Sequence, residues 1–351
     1  MSNLEAEPRE QVCTPGPVPG TGTEPAGSPA SGAADGSAPG SAGSRVEVVT
    51  SREVPLGGPR AMPVRRTLPQ RARSLVGAWC FADHYGPDDV AVTGGMDVAP
   101  HPHTGLQTVS WLFTGEIEHR DSHGVHARVR PGELNLMTGG SGIAHSEVTT
   151  QDTTVLHGVQ LWVALPEAHR RAPRNFQHYA PPLVEFPGGR ARVFLGTAFG
   201  STSPVEVFSP LLGAEVEIDA GASVRLALDP AFEHGFLVDR GAPVVDGTAL
   251  ARAELGYLGT GPDSVEVQAG EEPVRLVLLG GEPFGEEIVM WWNFVGRTHE
   301  DIAQARADWE AGAERFGTVE GYVGERDRLP APALPQVRIR ARRNPPTAAP
   351  R

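Results

Sequence analysis

The stretch that decides the fold runs over residues 94–124 as GGMDVAPHPHTGLQTVSWLFTGEIEHRDSHG and closes over residues 130–147 as RPGELNLMTGGSGIAHSE. Val109, Trp111 and Phe113 occupy every second position, which is the period of a β-strand. Glycines and prolines interrupt the stretch at short intervals, as they do in turns between strands. The stretch therefore predicts consecutive β-strands rather than helices.

Two short pairs of metal-binding residue types lie in this stretch, His101-Pro102-His103 and His145-Ser146-Glu147. Residues two apart on a strand point to the same face, so each pair can direct two side chains at one point. Pro102 biases His101 toward an extended backbone, which suits a strand. Two such strands would supply three imidazoles and one carboxylate, and we predict that His101, His103, His145 and Glu147 bind a metal ion.

The donor set restricts the metal and its role. Imidazole and carboxylate together suit Fe, Mn, Ni, Cu or Zn, and the stretch offers no thiol. Four protein ligands would leave two positions of an octahedral ion open to other molecules. Open positions are typical of reactive metal sites rather than structural ones.

The composition of the whole chain restricts the class of protein. The 351 residues include 43 glycines and 33 prolines, and turn signals recur along the chain, which favours an all-β architecture. The net charge of −13 disfavours direct binding to nucleic acid, although the basic segment VRIRARR at 337–343 is a local exception. Cys13 and Cys80 make an unlikely disulfide, and we find neither an apolar leader nor a membrane-spanning run. We expect a cytoplasmic monomer without membrane contact.

The chain divides into four parts by composition. Residues 1–44 are rich in Gly, Pro, Ala, Ser and Thr and are predicted to be disordered. Residues 45–185 form a β-domain with the metal site, and residues 186–329 form a second β-domain that resembles a duplicate. Residues 330–351 form an extended tail rich in Pro and Arg.

The second β-domain differs from the first in its histidines and its helix. His234 is its only histidine before residue 299, so we expect this domain to bind no metal. Residues 298–311 are the one clear helix, because Thr298 can cap it with Asp301 three residues on. Ile302, Ala305 and Trp309 would share the face that packs on a barrel.

Longer motifs resemble one known family. The segments MDVAPHPHTGLQTVSWLFTGEIEHRDS (96–122), MTGGSGIAHSE (137–147), HGVQLWVALP (157–166), VVDGT (244–248) and GGEPFGEEIVMWWNFVGRTHEDI (280–302) are similar to those of the pirins. The resemblance covers residues 45 to 343. It implies a bicupin, that is, two tandem cupin β-barrels. The short C-terminal helix predicted above would be added to them. The resemblance also implies a mononuclear centre, usually iron, held by residues at the positions of His101, His103, His145 and Glu147.

The chain departs from the generic cupin pattern at two positions. Gln107 stands where that pattern has a glutamate, and Asn135 stands where its second motif has a histidine. Pirins take their remaining ligands from the later H-x-E, so both departures favour this family. We expect Gln107 and His84 to lie behind the ligands or at the rim of the pocket.

The resemblance implies a function of the quercetin 2,3-dioxygenase type, in which O2 cleaves the heterocyclic ring of a flavonol or a related enediol. Fe(II) is the expected metal, with Mn, Ni, Cu or Zn as alternatives. Glu147 could also accept the proton of the substrate hydroxyl. A different class of function is a metal-dependent regulatory binding protein without turnover, either a transcription cofactor or a partner of a metabolic enzyme. A metal-cupin isomerase, or a dioxygenase for another enediol, is a third alternative.

Overall fold

The structure is a computed structural model that describes residues 2–3, 46–57, 62–324 and 326–344. Strands predominate throughout this part of the chain, as the composition predicts. Of the N-terminal segment 1–44, only Ser2–Asn3 can be compared with the prediction of disorder, and these two residues pair as a short strand with residues 56–57. The rest of that predicted segment lies outside the described residues.

The first half of the chain contains thirteen described strands and one short helix. They are β1 Ser2–Asn3, β2 Glu47–Val49, β3 Arg52–Gly57, β4 Pro63–Leu68, β5 Trp79–Asp89, α1 Val90–Thr93, β6 Asp97–His103, β7 Leu106–Thr114, β8 Ile117–Asp121, β9 His126–Val129, β10 Leu134–Thr138, β11 Ile143–Thr149, β12 Val155–Ala164 and β13 Asn175–Tyr179.

The second half contains fourteen described strands, one helix and a 3-10 turn. They are β14 Val184–Phe186, β15 Gly189–Leu195, β16 Thr197–Ala198, β17 Ser201–Thr202, β18 Leu211–Ile218, β19 Ser223–Ala227, β20 Glu233–Arg240, β21 Val244–Val245, β22 Thr248–Ala249, β23 Leu255–Leu258, β24 Ser264–Gln268, β25 Val274–Gly281, β26 Val289–Trp291, β27 Phe294–Gly296, α2 His299–Glu310 and the turn Glu314–Phe316.

Each half builds a cupin-type barrel from a large sheet and a small one. The first pairs an eight-stranded sheet (β1-β3-β4-β5-β12-β7-β10-β13) with a four-stranded sheet (β6-β11-β8-β9). The second pairs a seven-stranded sheet (β14-β15-β18-β25-β20-β23-β2) with a four-stranded sheet (β19-β24-β21-β22). Apolar side chains from both sheets of a barrel fill its interior. The predicted all-β bicupin is confirmed.

The two halves exchange chain segments. Strand β2, near the N-terminus, pairs with β23 in the large sheet of the second barrel. In the opposite direction, Val295 in β27 donates its N–H to the carbonyl of Thr104, and Leu329 donates to the carbonyl of Pro100, both in the first half. The division into domains at residues 45–185 and 186–329 stays a prediction, because a strand near the N-terminus joins the second barrel and C-terminal segments contact the first.

A third hydrophobic core lies between the large sheets of the two barrels. Trp79 and Trp111 are its largest members from the first barrel, and both are fully buried. Trp79 also makes polar contact with the second barrel. Its indole Nε1 lies 3.1 Å from the carbonyl oxygen of Leu212 and 3.2 Å from that of Gly280, both in the second barrel. The indole therefore joins the two barrels through apolar contact and a shared hydrogen bond.

The C-terminal helix confirms the sequence prediction in detail. Helix α2 begins after Thr298, whose side chain accepts a hydrogen bond from the N–H of Asp301 while the Asp301 carboxylate accepts one from the N–H of Thr298. Ile302, Ala305 and Trp309 are its buried residues and pack in the core of the first barrel. Among the described residues, no helix combines the length and the apolar character needed to cross a membrane.

Candidate metal centre

The two predicted ligand pairs lie on neighbouring strands. Strands β6 and β11 are antiparallel, and His145 pairs directly with His101 while Ile143 pairs with His103. The register shifts between His145 and Glu147, so the pairing of the two strands is irregular at this point. Strand pairing therefore brings together residues that are forty or more positions apart in the sequence.

The three imidazoles form a compact buried cluster. One nitrogen from each of His101, His103 and His145 lies within 4.8 Å of those of the others. The Nε2 atoms of His103 and His145 are 3.0 Å apart, and the rings of His101 and His145 have centroids separated by 4.3 Å. Glu147 forms a second such group with His145 and His119. His145 thus belongs to both groups and connects the carboxylate to the imidazoles.

The protonation state of these histidines suits metal binding. Burial lowers the pKa of His101, His103 and His145 well below the ordinary value, and the neighbouring imidazoles lower the pKa of His145 further. His101 Nδ1 lies 2.9 Å from the carbonyl oxygen of Ala99, so Nδ1 carries the hydrogen and Nε2 presents its lone pair. That buried Nε2 has no hydrogen-bond partner among the described residues. Three neutral imidazoles, one of which has a buried nitrogen without a hydrogen-bond partner among the described residues, fit a divalent ion.

A chain of side chains that the sequence analysis did not single out supports His145. His119 Nδ1 lies 3.4 Å from His145 Nδ1, and His119 Nε2 lies 3.1 Å from Asp121 Oδ2. Both residues are on β8, where Glu147 pairs with His119 and His145 pairs with Asp121. In the sequence, the H-x-D spacing at 119–121 could have indicated this pair, because it places the two side chains on one face of a strand.

We expect the substitution His119→Ala to weaken metal binding while leaving all four predicted ligands in place. Loss of a residue that orients a metal-bound imidazole typically lowers metal affinity by roughly 10- to 100-fold. The measurement is competitive titration of the metal against a chelator, with His123→Ala as control, since His123 is an exposed histidine near the same strand. Equal affinities in the two variants would show that His119 does not support the centre.

Polar groups from the large sheet face the Glu147 carboxylate. Ser110 Oγ lies 3.2 Å from Glu147 Oε1 and 2.9 Å from the side chain of Gln160. A hydroxyl has only one hydrogen to donate. When the Gln160 amide is oriented with its nitrogen toward Ser110, the amide donates to the hydroxyl oxygen, and the hydroxyl donates its hydrogen to Glu147. The Tyr85 hydroxyl is buried without a hydrogen-bond partner among the described residues, and burial followed by the charge of Glu147 raises its pKa well above the ordinary value. Tyr85 is therefore a neutral hydrogen-bond donor.

The two predicted supporting residues lie elsewhere. Gln107 donates a hydrogen bond from Nε2 to Thr138 Oγ1 at 3.0 Å, and it shares its strand face with Val109 and Trp111, which pack between the barrels. The ligand-facing side of β7 instead carries Ser110. The expectation that Gln107 lies behind the ligands is therefore corrected, since the strand period turns it away from them.

His84 also differs from its expected position. Its Nε2 lies 2.7 Å from Asp239 Oδ1, and a nitrogen of His157 lies 3.4 Å away. Neither partner is one of the four predicted ligands. Because the neighbouring Tyr85 points into the first barrel, His84 points to the other face of β5, toward the second barrel. His234, in the second barrel, is buried and belongs to none of the potential metal-binding groups found among the described residues.

Comparison with known proteins agrees with the fold and the motifs. A family profile described as Pirin matches residues 61–163, and one described as Pirin C-terminal cupin domain matches residues 213–317. A Pseudomonas aeruginosa protein named "Putative quercetin 2,3-dioxygenase" is 43% identical over 288 residues, which cover 82% of this chain and 90% of that protein. The chain belongs to the pirin family.

Other pirin relatives extend the likeness to structure. A pirin-like protein of Caulobacter vibrioides is 40% identical over 261 residues, covering 71% of this pirin and 88% of the relative. The crystal structure of a quercetin 2,3-dioxygenase from Acinetobacter baumannii superposes with a TM-score of 0.79 at 40% identity, covering 84% of this pirin and 97% of that chain. The resemblance seen in the sequence motifs is thus confirmed over both barrels.

Proposed function

We propose that this pirin is a mononuclear metal-dependent dioxygenase of the quercetin 2,3-dioxygenase type, acting on a flavonol or a related enediol. The observation that carries the proposal is the buried group of His101, His103 and His145, with Glu147 joined to it through His145. The relatives named for quercetin dioxygenation are 40–43% identical over more than four-fifths of the chain and support the reaction class.

In this proposal the four residues hold Fe(II), with Mn, Ni, Cu or Zn as other ions that the same donors suit. The ion would supply a Lewis acid for the substrate oxygen and a centre at which O2 and the organic substrate can meet. His101, His103 and His145 bind as neutral imidazoles, for which their burial prepares them. All four side chains are fully buried, so the protein excludes bulk water from the reacting groups.

The proposed role of Glu147 is to accept the proton of the substrate hydroxyl. A carboxylate can bind an ion through one oxygen and leave the other for a hydrogen bond. The Ser110 hydroxyl, 3.2 Å from Glu147 Oε1, orients the carboxylate and stabilises its charged form. Tyr85, a neutral donor near this carboxylate, is suited to hydrogen-bond a polar group of the substrate.

We expect Glu147→Gln to retain much of the metal and lose turnover, because the amide oxygen can still coordinate an ion but cannot take up a proton. General-base steps typically contribute roughly 100- to 10,000-fold to a rate, and a kcat lower by at least about 100-fold is the expected result. The exposed Glu206 offers a matched control as Glu206→Gln. Unchanged kcat in Glu147→Gln would remove Glu147 from the proton transfer.

The function itself is tested by loading the protein with Fe(II) anaerobically and adding quercetin and then O2. The proposal predicts consumption of one O2 and release of one carbon monoxide for each flavonol cleaved. Oxygen uptake is followed with an electrode and carbon monoxide by its binding to haemoglobin. Absence of both from protein that holds its iron would overturn the assignment to flavonol cleavage.

A further inference from the structure

A second buried group of potential metal ligands lies between the two barrels. It consists of His84 on β5, His157 on β12 and Asp239 on β20, and one donor atom of each lies within 4.8 Å of the others. The two histidines come from the first barrel and the aspartate from the second. None of the three belongs to the centre proposed above.

The three donor atoms converge on one point. Asp239 Oδ1 lies 2.7 Å from His84 Nε2 and 2.5 Å from His157 Nε2, and the two nitrogens are 3.4 Å apart. Zinc binds imidazole nitrogen at about 2.1 Å and carboxylate oxygen at about the same length. Because the three separations are short compared with twice that length, a single ion can reach all three atoms.

The surroundings leave these atoms available to an ion. Arg275 Nε lies 2.6 Å from Asp239 Oδ2, so the guanidinium uses the other carboxylate oxygen and fixes the orientation of Oδ1. Burial lowers the pKa of His84, which favours its neutral, metal-binding form. His157 keeps 7% of its surface exposed, which provides an edge for entry and for a water molecule as fourth ligand.

We propose that His84, His157 and Asp239 form a second metal site that binds a divalent transition ion of the zinc class and joins the two barrels. Two imidazoles, one carboxylate and a water molecule make up a ligand set that zinc uses in other proteins. The positive charges of Arg275 and Arg252 oppose a cation. Zinc also binds to three neutral imidazoles, so a carboxylate whose charge is compensated does not prevent binding. Without an ion, the same atoms form hydrogen bonds from both imidazoles to Asp239.

The test uses a full-length double variant, His101→Ala with His145→Ala, that lacks two ligands of the first centre. Equilibrium dialysis against ZnCl2 or CoCl2 should give one ion per chain, and bound Co²⁺ should show visible ligand-field bands. Zinc at about 100 times its Kd should raise Tm by roughly 5 °C, since the ion binds only the folded arrangement of the two barrels.

Adding His157→Ala to the double variant should abolish the bound ion, the cobalt bands and the zinc-dependent rise in Tm. Adding His157→Gln instead gives a second variant that keeps a hydrogen-bond donor for Asp239 and lacks the imidazole, and it should behave in the same way. The proposal is overturned if the double variant binds no ion, or if it binds one that either triple variant retains. The first of these results would leave the three residues as a hydrogen-bonded contact between the barrels.

Discussion

The substitution His145→Ala is expected to abolish oxygen uptake with quercetin and to leave one metal ion per chain fewer than in the wild type. His145 belongs both to the group of three imidazoles and to the group that contains Glu147. Its Nε2 lies near Nε2 of His103, and its Nδ1 lies near Nδ1 of His119. Loss of His145 removes one ligand and separates Glu147 from the remaining imidazoles. Since loss of a merely supporting residue costs up to roughly 100-fold in activity, loss of this ligand should cost at least about that much.

The measurement combines metal analysis after gel filtration with the oxygen assay on the same samples. His123→Ala is the matched control, because His123 is an exposed histidine of the same barrel. Circular dichroism establishes that both variants keep their β-structure. If His145→Ala keeps the wild-type number of ions and the wild-type rate, the proposed centre is wrong and so is the function built on it.

The substitution Trp79→Ala is expected to lower the free energy of unfolding by roughly 3–5 kcal/mol, the usual cost of truncating a buried tryptophan. The fully buried indole fills the core between the barrels. It also provides the N–H that the carbonyls of Leu212 and Gly280 share. Truncation therefore leaves a cavity and two buried carbonyls without this donor.

Urea denaturation followed by circular dichroism measures this change. Trp79→Phe keeps most of the apolar contact and loses the N–H, so it should cost less, about 1–3 kcal/mol. Val92→Ala, at an exposed apolar residue, should change the stability by less than about 0.5 kcal/mol. A loss below about 1 kcal/mol in Trp79→Ala would mean that the barrels do not depend on this contact.

Features set by local pattern could be predicted from the sequence. The period of two around Trp111 predicts strands, and the spacing of Thr298 and Asp301 predicts the start of helix α2. The pairs at 101–103 and 145–147 lie on strands, as their spacing requires. The family could also be recognised, because the motifs around these pairs are long and specific.

Features set by contacts between distant segments could not be predicted in this way. The partner of His84 is Asp239, 155 positions away, and no local pattern links them. Gln107 is a different case, because its parity with Trp111 already places it on the face away from Ser110. The prediction for Gln107 relied on alignment with a generic cupin motif instead of on the direction of the side chain.

The sequence by itself determined that this protein is a β-rich bicupin of the pirin family with two ligand pairs on strands, because strand period and motif spacing are properties of neighbouring residues. Only the tertiary structure decided that β6 and β11 adjoin with His145 beside His101, and that His119 and Ser110 lie behind the predicted ligands. It alone placed His84 and His157 against Asp239 of the other barrel. The physical reason is that strand pairing and burial join segments that are far apart in the chain. They decide which side chains from different strands come into contact.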